Sequence, residues 1–278
     1  YDPRILCAEG VTLATEAGLH LYANSHGFVG YFPYTRHDIG CALVSHQKDE
    51  KQRDFYYSIS TDPTKLLSVD IIAKCAAERA VRRLGARGLK TCQAPVIFIA
   101  EEARGLLGHF VSAVSGGALY RHATFLEHHL NKKIFPDFIH IEEAPHLLGA
   151  LGSAPFDGDG VLTRNNVLIE AGVLKNYVLN VYTARHLNMQ TTGNAGGVHN
   201  LTIKTHDLDL NALLKKMNRG LLVTEVLGNG VNLVTGDYSR GVSGFWVEQG
   251  DIAFPVQEIT IAGNLKNMYA NICAVGND

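Results

Sequence analysis

The sequence predicts an α+β fold: an N-terminal α/β portion made of an antiparallel meander plus a helix, then a strand-rich C-terminal domain. Three observations carry this prediction. Short apolar runs between residues 10 and 60 are separated by turn-forming residues. A stretch with helical apolar spacing follows and is closed by Gly85 and Gly88. Beyond it, glycines gather at reversals, at 158, 160, 193, 196, 197, 228 and 230, as a chain with many turns requires. The boundary falls at the closing glycines, so that 1–87 is the end of an N-terminal α/β domain and 88–278 the strand-rich one. With 278 residues, the chain is long enough to bury roughly three quarters of its unfolded surface.

Each element has its own reason. Val11 to Glu16 and Leu19 to Tyr22 read as strands flanking a tight turn at Ala17-Gly18, and Asn24 to Gly27 reads as the next turn. Phe28 to Tyr34, Ile39 to Ser45 and Phe55 to Ser60 continue the meander. The polar run Gln47 to Asp54 marks a hairpin loop. Ser60-Thr61-Asp62-Pro63 supplies capping groups and a proline for a helix reaching about Leu84, with Leu67, Ile71, Cys75 and the Val81–Leu84 turn on its apolar face. Pro95 to Ala100 is continuously apolar, as a buried strand is, and Glu101 to Val114 reads as a helix ending near Gly116-Gly117. Asn165 to Glu170, Ala171-Gly172 and Val173 to Leu179 form a hairpin. Tyr182 to Leu187 and Asn211 to Met217 are short helices, and Leu221 to Leu227 is a strand. At the end, Phe245 to Glu248 turns through Gln249-Gly250 into Asp251 to Phe254. Pro255 lacks a ladder donor and is expected to end that pairing before Val256 to Ala262 forms a third strand.

Composition excludes several functions. With 25 basic and 27 acidic residues the net charge is −2, which argues against direct nucleic-acid binding. Arg79, Arg82, Arg83 and Arg87 come nearest to a basic patch and read as a solvated helix face. The five cysteines are scattered with no C-x-x-C spacing, which argues against a thiolate zinc knuckle or a dithiol redox pair. An odd, sparse count suits a reducing compartment and points to the cytoplasm. No uninterrupted apolar run reaches ~18 residues, so no membrane span is expected. The chain opens on Tyr1 without an initiator Met, which reads as a fragment or a processed protein.

Few constellations of catalytic residue types are present. Ser243 is followed by Gly244 but preceded by Val242, so there is no G-x-S-x-G elbow. Gly193 to Gly197 lacks the lysine of a phosphate loop. His122, Glu127, His128 and His129 are the densest cluster of ligand-type side chains, but on a helix His128 and His129 would point ~100° apart. Glu142 and His146 are four apart with Pro145 between them, and Asp157-Gly158-Asp159-Gly160 lacks the closing glutamate of a calcium loop. These three groups read as loop or surface features. Two glycine-containing loops stand out: Thr191 to Asn200 and Gly236 to Gly241. In the second, Asp237, Tyr238 and Arg240 share one loop and suit gripping a peptide backbone or a partner surface. The alternative is a turn in which Arg240 and Asp237 pair locally.

The strings NSHGF at 24–28, GNAGG at 193–197, GDYSRG at 236–241 and EITIAGNLK at 258–266 carry a resemblance that covers the whole chain. They resemble the TldD/PmbA family, a bacterial and archaeal family linked to a zinc metallopeptidase heterodimer, and within it the PmbA (TldE) branch. The resemblance implies a protein that begins before Tyr1 and continues past Asp278. It implies the subunit that shapes a peptide-cleaving chamber with a TldD-like zinc peptidase subunit, acting on unfolded peptides in maturation or degradation, with a homodimer as the option where that partner is absent. In the TldD branch a His-Glu-x-x-x-His helix holds zinc, with the glutamate as general base. Laid on that motif, this chain has Gly108 and Ala113 at the ligand positions and His109 at the base position, so the resemblance implies neither catalytic residues nor a metal site here, the zinc belonging to the partner. The family's third ligand lies past a string resembling Val275 to Asp278, and Cys273 is not its counterpart. The loop at 191–200 matches both branches, which makes Asn194 and His199 candidate peptide- or partner-binding residues beside Asp237, Tyr238 and Arg240. Two alternatives belong to other classes: a self-sufficient metallopeptidase whose ligands, such as His109, His122 and His129, converge in space, and a modulator of DNA gyrase acting through protein contacts.

Overall fold

The computed structural model describes residues 2–277, and they group into two units. One holds the residues up to Leu89 together with Leu148–Leu151 and Phe254–Gln257; the other holds Lys90–Leu147, Gly152–Ala253 and the residues from Glu258 onward.

The first unit is an antiparallel three-stranded sheet, β1 (Ile5–Ala23), β2 (Val29–Gln47) and β3 (Glu50–Ser60), with helix α1 (Val69–Arg82) packed on β2 and β3. The turn at Asn24–Gly27 forms as expected: the Asn24 side chain accepts from the His26 and Phe28 amides, and Gly27 takes φ +88°. Three local expectations are corrected. Ala17-Gly18 is mid-strand, paired with Thr35 and Tyr34, and it is not a turn. The glycine is there for space, because a Cβ at 18 would lie 2.6 Å from the Tyr34 ring. Phe28 to Tyr34 and Ile39 to Ser45 are one strand, and the polar run after Gln47 continues the ladder, with the reversal confined to Lys48-Asp49 between the paired Gln47 and Glu50. Polar residues suit this ladder because they find partners there. Glu50 accepts from the Gln52 amide and the Gly85 backbone, which hold its carboxyl below the usual range.

The helix also starts later than expected. Asp62 caps a short 3₁₀ turn, Pro63–Lys65, and Ser68 caps α1. The buried face of α1 is Ile72, Ala76, Ala77 and Ala80, while Leu67 and Ile71 are exposed. Small residues win that face because they let the helix backbone approach the sheet closely, so that Ser45 Oγ donates to the Ala80 carbonyl at 2.7 Å.

The second unit begins with β4 (Val96–Phe98), α2 (Ala100–Ala113), α3 (Gly116–Tyr120), β5 (Ile141–Glu143), β6 (Asn166–Glu170) and β7 (Val173–Leu174). It continues with α4 (Val181–His186), β8 (Leu201–Ile203), α5 (Leu210–Met217), β9 (Gly220–Leu227), β10 (Asp237–Glu248), β11 (Asp251–Asn264) and α6 (Leu265–Ala270). These strands form two four-stranded sheets, ordered β11-β10-β9-β4 and β7-β6-β5-β8. β4 pairs parallel with β9 and lies at an edge, so Ile97 and Phe98 are half-buried rather than fully buried as expected for 95–100. The 165–179 hairpin turns at Ala171-Gly172 (φ 47° and 75°), and its return strand is only two residues long. β11 runs unbroken through Pro255; an edge strand tolerates a residue without a ladder donor. The Gly236–Gly241 segment opens β10 and is strand, not loop, from Asp237 on.

The core of this unit gathers around α2, β5, β6 and α6. Phe110 is fully buried, with Phe135 (5.4 Å, 77°) and Tyr269 (6.3 Å, 88°) edge-on to it, and the Tyr269 hydroxyl donates to the Leu106 carbonyl. Burial pushes the Tyr269 phenol far above its ordinary value.

Candidate functional site

The helix that carries Gly108, His109 and Ala113, the positions laid on the zinc motif above, is well formed. On α2, Gly108 is exposed with open space where a side chain would stand, whereas Ala113 is completely buried in the core. Five residues apart on a helix, the two point about 140° from each other. The Ala113 carbonyl accepts from Thr124 Oγ1 at 2.6 Å. His109 is half-buried, with its ring edge-on to Tyr238 at 6.2 Å. Burial, and secondarily the positive charge of Arg240, hold its imidazole below the ordinary value.

The Asp237, Tyr238 and Arg240 side chains do not converge. Strand alternation sends Tyr238 inward, 3% exposed, and burial raises its phenol. Asp237 accepts from Thr235 Oγ1 at 2.6 Å and Asn264 Nδ2 at 3.2 Å, which lower its carboxyl. Arg240 Nε donates to the Leu227 carbonyl at 2.9 Å. The local Asp–Arg pair is therefore replaced by separate partners.

Asn194 and His199 do come together, around a residue the sequence reading missed. Glu143 is 2% exposed at the end of β5. Its Oε1 accepts from Asn194 Nδ2 (2.8 Å), the His199 backbone N–H (2.6 Å) and His199 Nδ1 (2.8 Å). Oε2 accepts a second contact from Asn194 Nδ2 at 3.0 Å, and that same amide donates to the Gly197 carbonyl. The signal was present: Glu143 stands two residues from Ile141, on the same buried strand face, while Glu142 is exposed.

The adjoining Asp157-Gly158-Asp159-Gly160 loop is organised around a buried carboxylate, not a surface one. Asp157 Oδ1 accepts from the Asp159 and Val161 amides, and Oδ2 from the Ala195 amide at 2.8 Å. Gly158 N–H returns a bond to the Ala195 carbonyl. Asp157 and Glu143 together clamp the 194–199 segment.

The histidine cluster lies in turns, not on a helix, with His122 and His128 at φ 53° and 58°. Glu127 Oε1 meets His122 Nδ1 (2.5 Å) and His128 Nε2 (3.2 Å), while His129 Nδ1 meets the Glu127 carbonyl. His146 Nε2 meets Thr163 Oγ1. Among the described residues no group of three or more histidine, cysteine or acidic side chains is placed to hold a metal. Asp278, at the end of the Val275–Asp278 string, lies outside the described residues. Also among them, no helix is long and apolar enough to cross a membrane.

Comparison with known proteins places this arrangement. Residues 1–84 match the domain described as the PmbA/TldA metallopeptidase central domain, and 91–278 the PmbA/TldA metallopeptidase C-terminal domain. The chain belongs to the PmbA/TldD family of metallopeptidases. It is 45% identical over 277 residues to metalloprotease PmbA of Escherichia coli O157:H7, and 44% identical over 278 to the PmbA homolog of Haemophilus influenzae. Each match covers 100% of this chain and 62% of the relative, so the chain spans about 62% of the length of these relatives. Among solved structures, a Bacteroides thetaiotaomicron protein described as a candidate modulator of DNA gyrase superposes with TM-score 0.94 at 29% identity, covering 100% of this chain and 63% of that one. TldE of Thermococcus kodakarensis shares the fold, with TM-score 0.84 at 24% identity over 95% of this chain and 62% of that one.

Proposed function

We propose that this chain is the larger part of a PmbA/TldE-like subunit that shapes the peptide-binding chamber of a zinc metallopeptidase heterodimer and leaves the metal to a TldD-like partner. The observation that carries the reading is the pair of residues at the motif's ligand positions, Gly108 and Ala113. Neither side chain has a lone pair to give zinc. The neighbouring His109 is half-buried, and its proton affinity is lowered by burial. Similarity to PmbA proteins along the whole chain supports the same branch.

In this reading 1–87 and 88–278 are the two working parts, and the protein acts in the cytoplasm. Its substrates are unfolded peptides bound in extended form, so that backbone hydrogen bonds confer tolerance of sequence. His199, Asp237 and Arg240 are the candidate contacts on the surface; Asn194 and Tyr238 act from beneath it, through loop geometry and packing. In the absence of the partner the subunit pairs with itself. The test is zinc content of the full-length protein by elemental mass spectrometry after dialysis against trace zinc, with peptide cleavage assayed alone and with the TldD-like subunit. We expect near-zero zinc and cleavage only in the mixture. One retained zinc per chain with cleavage by the isolated protein would overturn the reading.

A further inference from the structure

We propose that Glu143 and His199 form an oriented carboxylate–imidazole pair whose outward nitrogen, His199 Nε2, accepts a main-chain N–H of a bound extended peptide. This deepens the peptide-binding reading above and rests on it for the identity of the ligand.

The pair is built for one orientation. An ionised carboxylate only accepts hydrogen bonds, so the 2.8 Å contact fixes His199 Nδ1 as the donor and, in the neutral ring, leaves the lone pair on Nε2. Glu143 itself cannot swing away. It is 2% exposed, and Asn194 Nδ2 holds both of its oxygens. The backbone of His199 donates to the same Oε1 at 2.6 Å, so the carboxylate grips the residue at main chain and ring together. The ring is 14% exposed, and its hydrogen bond to Glu143 runs through Nδ1. A buried polar framework thus presents the ring edge opposite Nδ1 as an acceptor.

A second polar group lies against the same carboxylate. Asn166 lies directly across from Glu143 in the β5–β6 register, so their side chains share a face. It is 7% exposed, and its Nδ2 has no hydrogen-bond partner. A buried donor left unpaired costs about 1–3 kcal/mol, which marks the surroundings of Glu143 as polar and incompletely satisfied. An acceptor at Nε2 is the complement of a main-chain N–H, which every non-proline peptide unit offers. A carboxylate ligand would lack the N–H that Nε2 calls for. Glu143 is a positioning residue here: it sets the tautomer and does not touch the ligand.

The test uses the full-length protein with ¹⁵N-labelled histidine and an unstructured peptide that the wild type binds. NMR should show His199 Nε2 as the unprotonated, pyridine-type nitrogen, and peptide should shift that signal. Blocking the relevant backbone N–H by N-methylation should weaken binding about 3–10-fold, the effect of one hydrogen bond. His199→Phe should lose the same factor and be insensitive to that methylation. Glu143→Gln should mix the tautomers and weaken binding while the thermal transition shows the chain still folded. A resting Nε2–H tautomer overturns the pair, and equal binding of every N-methylated peptide overturns the acceptor role. A wild type that binds no peptide at all sinks the peptide-binding reading, and the ligand assigned here with it, while the tautomer still decides the Glu143–His199 pair.

Discussion

Replacing Asp157 should loosen the 194–199 segment in two graded steps, because its carboxylate accepts from three backbone amides. In Asp157→Asn the Oδ1 contacts with Asp159 and Val161 can persist as weaker neutral bonds. The new NH₂ faces the Ala195 N–H that Oδ2 had accepted at 2.8 Å, so one charge-assisted bond is lost and two donors meet. The expected loss is about 2 kcal/mol. Asp157→Ala strands all three amides. These three residues are only partly buried, so water recovers some of them, and the expected total is about 3–5 kcal/mol. Urea unfolding gives the stability change, and amide hydrogen exchange gives the location: the Ala195 N–H should lose protection in both variants. If both stay within about 0.5 kcal/mol of wild type with Ala195 still protected, the argument for a buried clamp is wrong.

Four further outcomes follow from packing and charge. Phe110→Ala, at a site fully buried between two aromatic rings, should cost about 3–5 kcal/mol in chemical unfolding. Gly244→Ala places a Cβ 1.9 Å from the Leu222 carbonyl oxygen, at the bulge where β10 meets β9, and should cost about 3 kcal/mol, the upper end of overpacking; an unchanged melting temperature would contradict it. Leu13, 74% exposed on β1, should tolerate serine within about 0.5 kcal/mol. His109 has a folded pKa lowered from its ordinary 6.5, by burial first and by Arg240 second. Its neutral form is the one folding favours, so its contribution is complete above pH 6.5 and is lost as pH falls through the lowered folded value. NMR titration should show Arg240→Gln moving His109 upward, toward 6.5, while leaving part of the shift that burial causes.

Local signals in the sequence were reliable where one short-range rule decides the outcome. The 100–113 and 210–217 helices, the Ala171-Gly172 turn and the Asn24 turn each follow from spacing, capping or left-handed backbone preference. Errors arose where an intrinsic preference met a long-range partner. Gly18 looked like a turn residue and is instead the space a tyrosine ring occupies across the ladder. Pro255 looked like a strand end and is tolerated because β11 lies at an edge. The alanine face of α1 could not be foreseen from hydrophobicity, since close approach to a sheet rewards small side chains over large ones.

The same division runs through the candidate site. By itself the sequence determined the family resemblance, the α+β class and the absence of ligand side chains at 108 and 113, because those are properties of residue identity and order. It also singled out the Asn194–His199 segment. Only the tertiary structure decided that Tyr238 turns into the core, that Asp237 and Arg240 take separate partners, and that Glu143 organises Asn194 and His199 from across the sheet. The physical reason is separation along the chain: Glu143 and His199 are 56 residues apart. No local pattern encodes a buried carboxylate's partners at that distance, and strand pairing alone brings them within hydrogen-bond reach.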